Sequence, residues 1–101
     1  MTKGVEMADN IEARMGGDGV LVGEFDGRVF ELFGGTEGSK RWLASQLVIK
    51  RLKDDKDGST NFRFLTSTGG GSPTEIWFPP EFVNDGNRLI QALYAAGAQE
   101  A

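Results

Sequence analysis

The sequence contains no cysteine and no histidine among its 101 residues. Without cysteine, disulfide bonds and thiolate metal sites are both excluded. Without histidine, the chain lacks the most common general base, the most common metal ligand and the side chain that usually titrates near neutral pH. Catalysis would have to use Asp, Glu, Lys or Ser, and no typical arrangement of these residues is evident. We therefore predict a protein that is not an enzyme and has no cofactor and no metal site.

Long hydrophobic runs are also missing. No stretch approaches the roughly 18 consecutive apolar residues that a membrane-spanning helix requires. The first segment, MTKGVEMADNIEARMGGDG, lacks the apolar centre of a signal peptide. We therefore expect a cytoplasmic protein, and a length of 101 residues predicts a single domain with one modest core.

Positive charge is scarce overall and concentrated in one place. The chain has 11 basic and 15 acidic residues, a net charge of −4. The stretch KRWLASQLVIKRLK, residues 40–53, has five basic residues and no acidic one, which leaves 6 basic and 15 acidic residues elsewhere. Either this stretch binds an anion, or it forms two strands whose solvated charges prevent edge-to-edge aggregation. The candidate anion-binding residues are Arg28, Lys40, Arg41, Lys50, Arg51 and Lys53.

The chain divides into three segments by composition. Residues 1–18 are polar, contain several glycines and are only weakly patterned, so we expect a flexible N-terminal arm. The predicted domain spans residues 19–97, and residues 98–101 form a C-terminal tail.

Short segments rich in β-branched and aromatic residues follow from Gly19 onward, separated by turn residues. Asp26-Gly27 separates the first two of them, and Asp-Gly is typical of a two-residue type I′ hairpin turn. Such a turn would pair Phe25 with Arg28. We predict strands in GVLVGEF, RVFELFG, KRWLA, LVIKRLK, TNFRFLTS and TEIWF.

The hydrophobic period changes near the C-terminus. Leu89, Ile90, Leu93 and Tyr94 recur at spacings of three and four, which is typical of an amphipathic helix. Gly97 is suited to end it, because glycine readily adopts the left-handed conformation at a helix C-terminus. We therefore predict a mainly β (α+β) fold, a small β-barrel or two-sheet sandwich of six or seven antiparallel strands capped by one C-terminal α-helix.

Alternation along the predicted strands divides the apolar residues into two groups. The residues expected in the core are Phe25, Phe30, Trp42, Phe62, Phe64, Ile76, Phe78, Leu89 and Leu93. The residues expected on outer faces, which are our candidates for binding a protein partner, are Val22, Val29, Phe33, Leu65 and Trp77. Several exposed apolar side chains on neighbouring strands are typical of a binding surface. The alternative is that the helix covers part of these faces.

Three stretches together resemble the bacterial pleckstrin-homology-like (PH-like) domains, many of which belong to small actinobacterial proteins. They are DNIEARMGGDGVLVGEFDGRVFEL, KRWLASQLVIKRL and the segment around RLIQALYAA. The similarity covers roughly residues 9–97 and implies the PH-like fold, with Trp42 and Ala44 pointing inward. The chain departs from the pattern at Ala44, where a larger aliphatic residue is usual, and in lacking the tryptophan typical of the closing helix of eukaryotic members.

The resemblance also bears on lipid binding. In the pleckstrin family, a basic pocket between the first two strands holds the lipid headgroup. Here we take that connection to be Asp26-Gly27, which is short and acidic, with only Arg28 close by. We therefore predict a non-catalytic interaction module that binds protein, either a second copy or another partner, and not membrane lipid or nucleic acid. The alternative is an anion-binding module for lipid headgroups or nucleic acid, acting through residues 40–53.

Overall fold

The computed structural model describes residues 10–17, 19–35, 39–69 and 71–101. Within these ranges the chain forms eight strands and one α-helix, α1, which spans Val83–Ala95. Two short 3₁₀ helices span Ala44–Gln46 and Pro80–Phe82. The strands are β1 Ile11–Gly17, β2 Gly19–Phe25, β3 Val29–Phe33, β4 Lys40–Leu43, β5 Leu47–Arg51, β6 Thr60–Thr66, β7 Thr74–Phe78 and β8 Gln99–Glu100.

All eight strands belong to one sheet with the order β4-β3-β2-β1-β7-β6-β5-β8. Neighbouring strands are antiparallel, except that β8 runs parallel to β5. Because β4 and β8 do not pair with each other, the sheet is open within the described residues. The prediction of a mainly β fold with one C-terminal helix is confirmed. The prediction of a closed barrel or two-sheet sandwich with six or seven strands is wrong.

The open sheet nevertheless curls back on itself. Three strands separate β3 from β6, so residues on these strands would lie about 19 Å apart in a flat sheet. The rings of Phe30 on β3 and Phe64 on β6 have centroids only 5.4 Å apart. Trp42 on β4 stacks on Phe30 at 5.7 Å and packs edge-to-face with Phe64 at 5.8 Å, measured between ring centroids. The curl therefore gives the sheet an inner face, which holds the core, and an outer face.

The core contains the residues that alternation placed there. Every member of the predicted core set is buried except Trp42, which is half-buried. Helix α1 adds Leu89, Ile90 and Leu93 to the core from its buried side. It also lies close to the sheet at Gly86, where an added Cβ would meet the ring of Phe78 at less than 3.0 Å. None of the described residues belongs to a helix long and apolar enough to cross a membrane.

Two strands lie where the sequence predicted an arm and a tail. Strand β1 occupies residues 11–17, and its inward-facing Ala13 and Met15 are buried. The prediction of a flexible arm is therefore wrong for this segment, whereas residues 1–9 and 18 lie outside the described residues. Ala13 and Gly16-Gly17 have low strand propensity, so the sequence pattern did not indicate a strand here. Strand β8 has only two residues and therefore no detectable period.

The predicted hairpin at Asp26-Gly27 exists, but its register differs. Phe25 pairs with Phe30 and not with Arg28. The predicted pairing is therefore wrong by two residues. Since side chains alternate with a period of two, this shift leaves every side chain on its predicted face.

The Asp26 side chain explains the longer turn. Its Oδ1 accepts hydrogen bonds from the N–H groups of Arg28 and Val29, at 2.8 and 2.7 Å. Gly27 has a φ of 98°, which a residue with a side chain rarely adopts. The bonds from Val29 and Arg28 lower the pKa of the Asp26 carboxyl below its ordinary value of 3.8. The carboxylate thus closes the turn, as in other Asx turns.

Candidate functional site

Four apolar side chains lie close together on the outer face of the sheet. Gly16 of β1 pairs with Trp77 on one side and with Val20 on the other. Two residues further along β2, Val22 pairs with Phe33 of β3. Val20 is 79% exposed and Trp77 is 40% exposed, whereas Val22 and Phe33 are half-buried. We call Val20, Val22, Phe33 and Trp77 the outer apolar strip.

Gly16 determines how Trp77 lies on this face. A Cβ atom added at Gly16 would meet three indole atoms of Trp77 at well under 3.0 Å. The indole therefore covers the backbone of Gly16, and a larger residue at position 16 would prevent this contact. Trp77 is held on the surface by contact with the strand, while its opposite side faces solvent.

The strip borders a row of like charges. On the same face, Glu12 pairs with Glu24, and Glu24 pairs with Glu31. Like charges directly opposite each other in a sheet are destabilising. The row ends at Arg41, whose Nε lies 3.6 Å from Oε2 of Glu31. Among the described residues, no group of three or more acidic side chains is placed to hold a metal ion.

A concavity lies at the open edge of the sheet. It has a volume of about 410 Å³, and Trp42 forms part of its wall. Strand β4 borders it on one side, and the ends of β6 and of the first 3₁₀ helix border it on the other. We call it the seam groove, and its lining residues are Val29, Arg41, Trp42, Leu43, Gln46 and Thr66.

Backbone groups of β4 face outward at this edge. The N–H of Ala44 donates to the C=O of Arg28 at 2.9 Å, which extends the ladder between β3 and β4. In an antiparallel ladder every second residue points its N–H and C=O toward the partner strand. The N–H and C=O of Arg41 and Leu43 therefore point away from β3. The sheet order places no described strand on that side of β4.

The five predicted partner-binding residues lie in three places. Val22, Phe33 and Trp77 come together in the outer apolar strip, whereas Val29 lines the seam groove. Leu65 lines a separate small depression together with Pro73. Val20 was missing from the predicted set, although alternation puts it on the same face as Val22. Its position at the start of β2, beside a glycine turn, is the signal that could have indicated its exposure.

The basic residues of the stretch 40–53 lie on two strands that are far apart in the sheet order. Strand β4 carries Lys40 and Arg41 at one edge, and β5 lies six positions away. Lys40 Nζ donates to Oγ1 of Thr74 at 3.0 Å. Lys50, Arg51 and Lys53 lie on or after β5, and all three are exposed.

Local carboxylates compensate part of this charge. Arg41 interacts with Glu31, and Nη2 of Arg51 lies 3.2 Å from Oδ2 of Asp54. Arg28 is exposed in the β2–β3 turn. Among the described residues, β1 precedes β2, so Asp26-Gly27 connects the second and third strands. The prediction that Asp26-Gly27 connects the first two strands is therefore wrong.

Comparison with known proteins gives no match. No family model fits the chain, and no curated protein and no solved structure is significantly similar to it.

Proposed function

We propose that this chain is a non-catalytic, PH-like interaction module that binds protein through the outer apolar strip. The exposure of Val20 and Trp77, on the two strands that flank β1, carries the proposal, since neither side chain has a covering element among the described residues. Contiguous exposed apolar surface is typical of protein-binding sites. Tryptophan is also among the residues that contribute most to binding energy at interfaces.

The order of the elements supports the PH-like part of the proposal. Among the described residues, seven antiparallel strands, β1 to β7, precede the α-helix, and the resemblance implies this order of strands and helix. The helix contributes its apolar side to the core and so does not cover the outer apolar strip.

The distribution of basic side chains favours protein over an anion as the ligand. Arg41 and Arg51 each have a carboxylate close by. Each basic residue near an anionic surface contributes about 1 kcal/mol, so partly compensated charges give little affinity. The alternative is binding to lipid headgroups or nucleic acid.

A photo-crosslinking amino acid at position 20 tests the proposal in cells of the source organism. The same amino acid at Gln91, an exposed position on α1, is the matched control. We expect specific protein adducts from position 20 that are absent from position 91. Trp77→Ser, introduced together with the crosslinker, should abolish them without changing the circular dichroism spectrum.

Two results would contradict the proposal. One is an identical adduct pattern from positions 20 and 91. The other is micromolar binding to anionic vesicles or duplex DNA at physiological salt that is lost in Lys50→Glu/Arg51→Glu, which would favour the anion-binding alternative.

A further inference from the structure

We propose a second binding site, at the seam groove, where an extended segment of another polypeptide adds as a strand to the open edge of β4. This site is separate from the outer apolar strip and does not depend on the function proposed for it. The ligand is specified by Arg41 and Leu43, whose backbone groups point away from β3. The N–H groups of both residues and the C=O of Arg41 fit the backbone of an extended peptide, which offers complementary groups at the same spacing. The C=O of Leu43 belongs to the first 3₁₀ helix, which Leu43 caps.

The groove accommodates a side chain as well as a backbone. Its volume of about 410 Å³ falls within the range of ligand sites. Trp42 is half-buried, with one side packed against Phe30 and Phe64, so part of the indole remains open to the groove. A peptide residue placed opposite Trp42 would point its side chain onto the indole. We therefore expect an apolar or aromatic residue at that peptide position.

Charge specifies the neighbouring peptide positions. The side chain of Arg41 is 68% exposed and is held only at 3.6 Å by Glu31. A peptide residue opposite Arg41 would lie on the same side of the sheet as the guanidinium. Cross-strand pairs of opposite charge are favourable in sheets. The ligand we infer is thus an extended segment in which an acidic residue alternates with an apolar one.

The other edge of the sheet is formed by the two-residue strand β8. Strand β8 pairs with β5, and the N–H of Ala101 donates to the C=O of Ile49 at 3.0 Å. The two edges therefore differ, since β8 offers a much shorter edge than the four residues of β4. This difference places strand addition at β4.

The backbone angles of Leu43 allow a selective test. Its φ of −71° and ψ of 132° suit proline, and the preceding residue is extended, as proline requires. Its N–H does not take part in the ladder with β3. Leu43→Pro therefore removes one outward donor and blocks the edge while leaving the fold intact. Leu43→Ala is the matched control, because it removes the same side chain and retains the N–H.

The probe is a displayed library of random 12-residue peptides, selected on the full chain. We expect enriched peptides with the acidic–apolar alternation, whose binding shifts the amide signals of Arg41 and Leu43 and the indole signal of Trp42. Affinity should fall about tenfold or more from Leu43→Ala to Leu43→Pro, since a hydrogen bond is lost and the pyrrolidine ring obstructs the edge. Unchanged thermal unfolding of both variants would verify their folds.

Three outcomes would overturn the inference. Equal affinity of the two variants would show that no strand adds at β4. Signal changes confined to Val20, Val22 and Trp77 would place the peptide on the outer apolar strip, which would leave the proposed function standing. Self-association of the chain that Leu43→Pro abolishes would identify a second copy, and not a foreign segment, as the occupant.

Discussion

The two tryptophans lie on opposite faces of one sheet and are held there in opposite ways. Trp42 packs on the inner face against Phe30 and Phe64, so neighbouring side chains from two other strands fix its position. Trp77 lies on the outer face over Gly16, and the absence of a side chain at Gly16 allows the indole to lie there. The comparison indicates that stability depends on the inner face, whereas the outer face can change without unfolding the protein.

The largest effect is expected inside the aromatic cluster. Phe64 is fully buried and contacts both Phe30 and Trp42, so Phe64→Ala should lower the free energy of unfolding by about 3–5 kcal/mol. Urea denaturation measures this loss. Leu65→Ala, one residue along and on the outer face, should cost about 1 kcal/mol or less. Equal losses would mean that the two faces have been assigned wrongly.

A smaller loss is expected where the helix meets the sheet. Gly86→Ala improves helix propensity by about 1 kcal/mol, but the new methyl group would overlap the ring of Phe78. We expect the overlap to dominate, with a net loss of about 1–3 kcal/mol in urea denaturation. Asn87→Ala, on the exposed side of α1, lacks the overlap and should be neutral or slightly stabilising. A stabilising Gly86→Ala would show that α1 shifts freely on the sheet.

On the outer face, Gly16→Ala should move Trp77 and change stability by less than about 1 kcal/mol. The added methyl group cannot coexist with the indole in its present position, and the indole can swing into solvent. A ¹H–¹⁵N spectrum contains one indole signal for each of the two tryptophans. The Trp77 signal, assigned with Trp77→Ser, should shift while the Trp42 signal stays in place. Unfolding caused by this substitution would contradict the comparison.

The smallest effect concerns pH and the Asp26 turn. The folded pKa of Asp26 lies below the ordinary value of 3.8, because Val29 and Arg28 donate to its carboxylate. The unfolded chain therefore takes up the proton first as pH falls, and stability decreases with it. The contribution is complete above about 3.8 and is lost as pH falls through the lower folded pKa. Thermal unfolding should show Asp26→Asn less stable than the parent chain at neutral pH.

The same comparison made in strong acid serves as the control. The difference between the parent chain and Asp26→Asn should shrink as the carboxylate is protonated. A difference that does not vary with pH would mean that the charge of Asp26 does not close the turn.

The sequence predicted strands β2 to β7 and the helix, because long alternating runs such as TNFRFLTS have a clear period. The inner face followed from the same alternation, as the burial of Phe62, Phe64 and Phe78 confirms. Strand β1 was missed because Ala13 and Gly16-Gly17 are poor strand formers. The hairpin register was missed because Asp26 bonds to the backbone through its side chain, which a turn assigned from residue types alone does not include.

The candidate surfaces were harder to predict than the core. Alternation placed Val22, Phe33 and Trp77 outward, but it does not state which strands are neighbours. Only the order β7-β1-β2-β3 brings Trp77 beside Val20, and β1 was absent from the prediction. The seam groove depends on the curl of the whole sheet, which brings the end of β6 close to β4. A local sequence pattern contains no information about that distance.

The contact between Gly16 and Trp77 has a consequence for how this protein can change in evolution. A mutation at position 16 to any larger residue displaces the indole, and a mutation at position 77 removes the need for glycine. Substitutions at the two positions are therefore coupled, although 61 positions separate them in the chain. Relatives that share this surface should have glycine and tryptophan together, and relatives that have lost one should be free to vary the other.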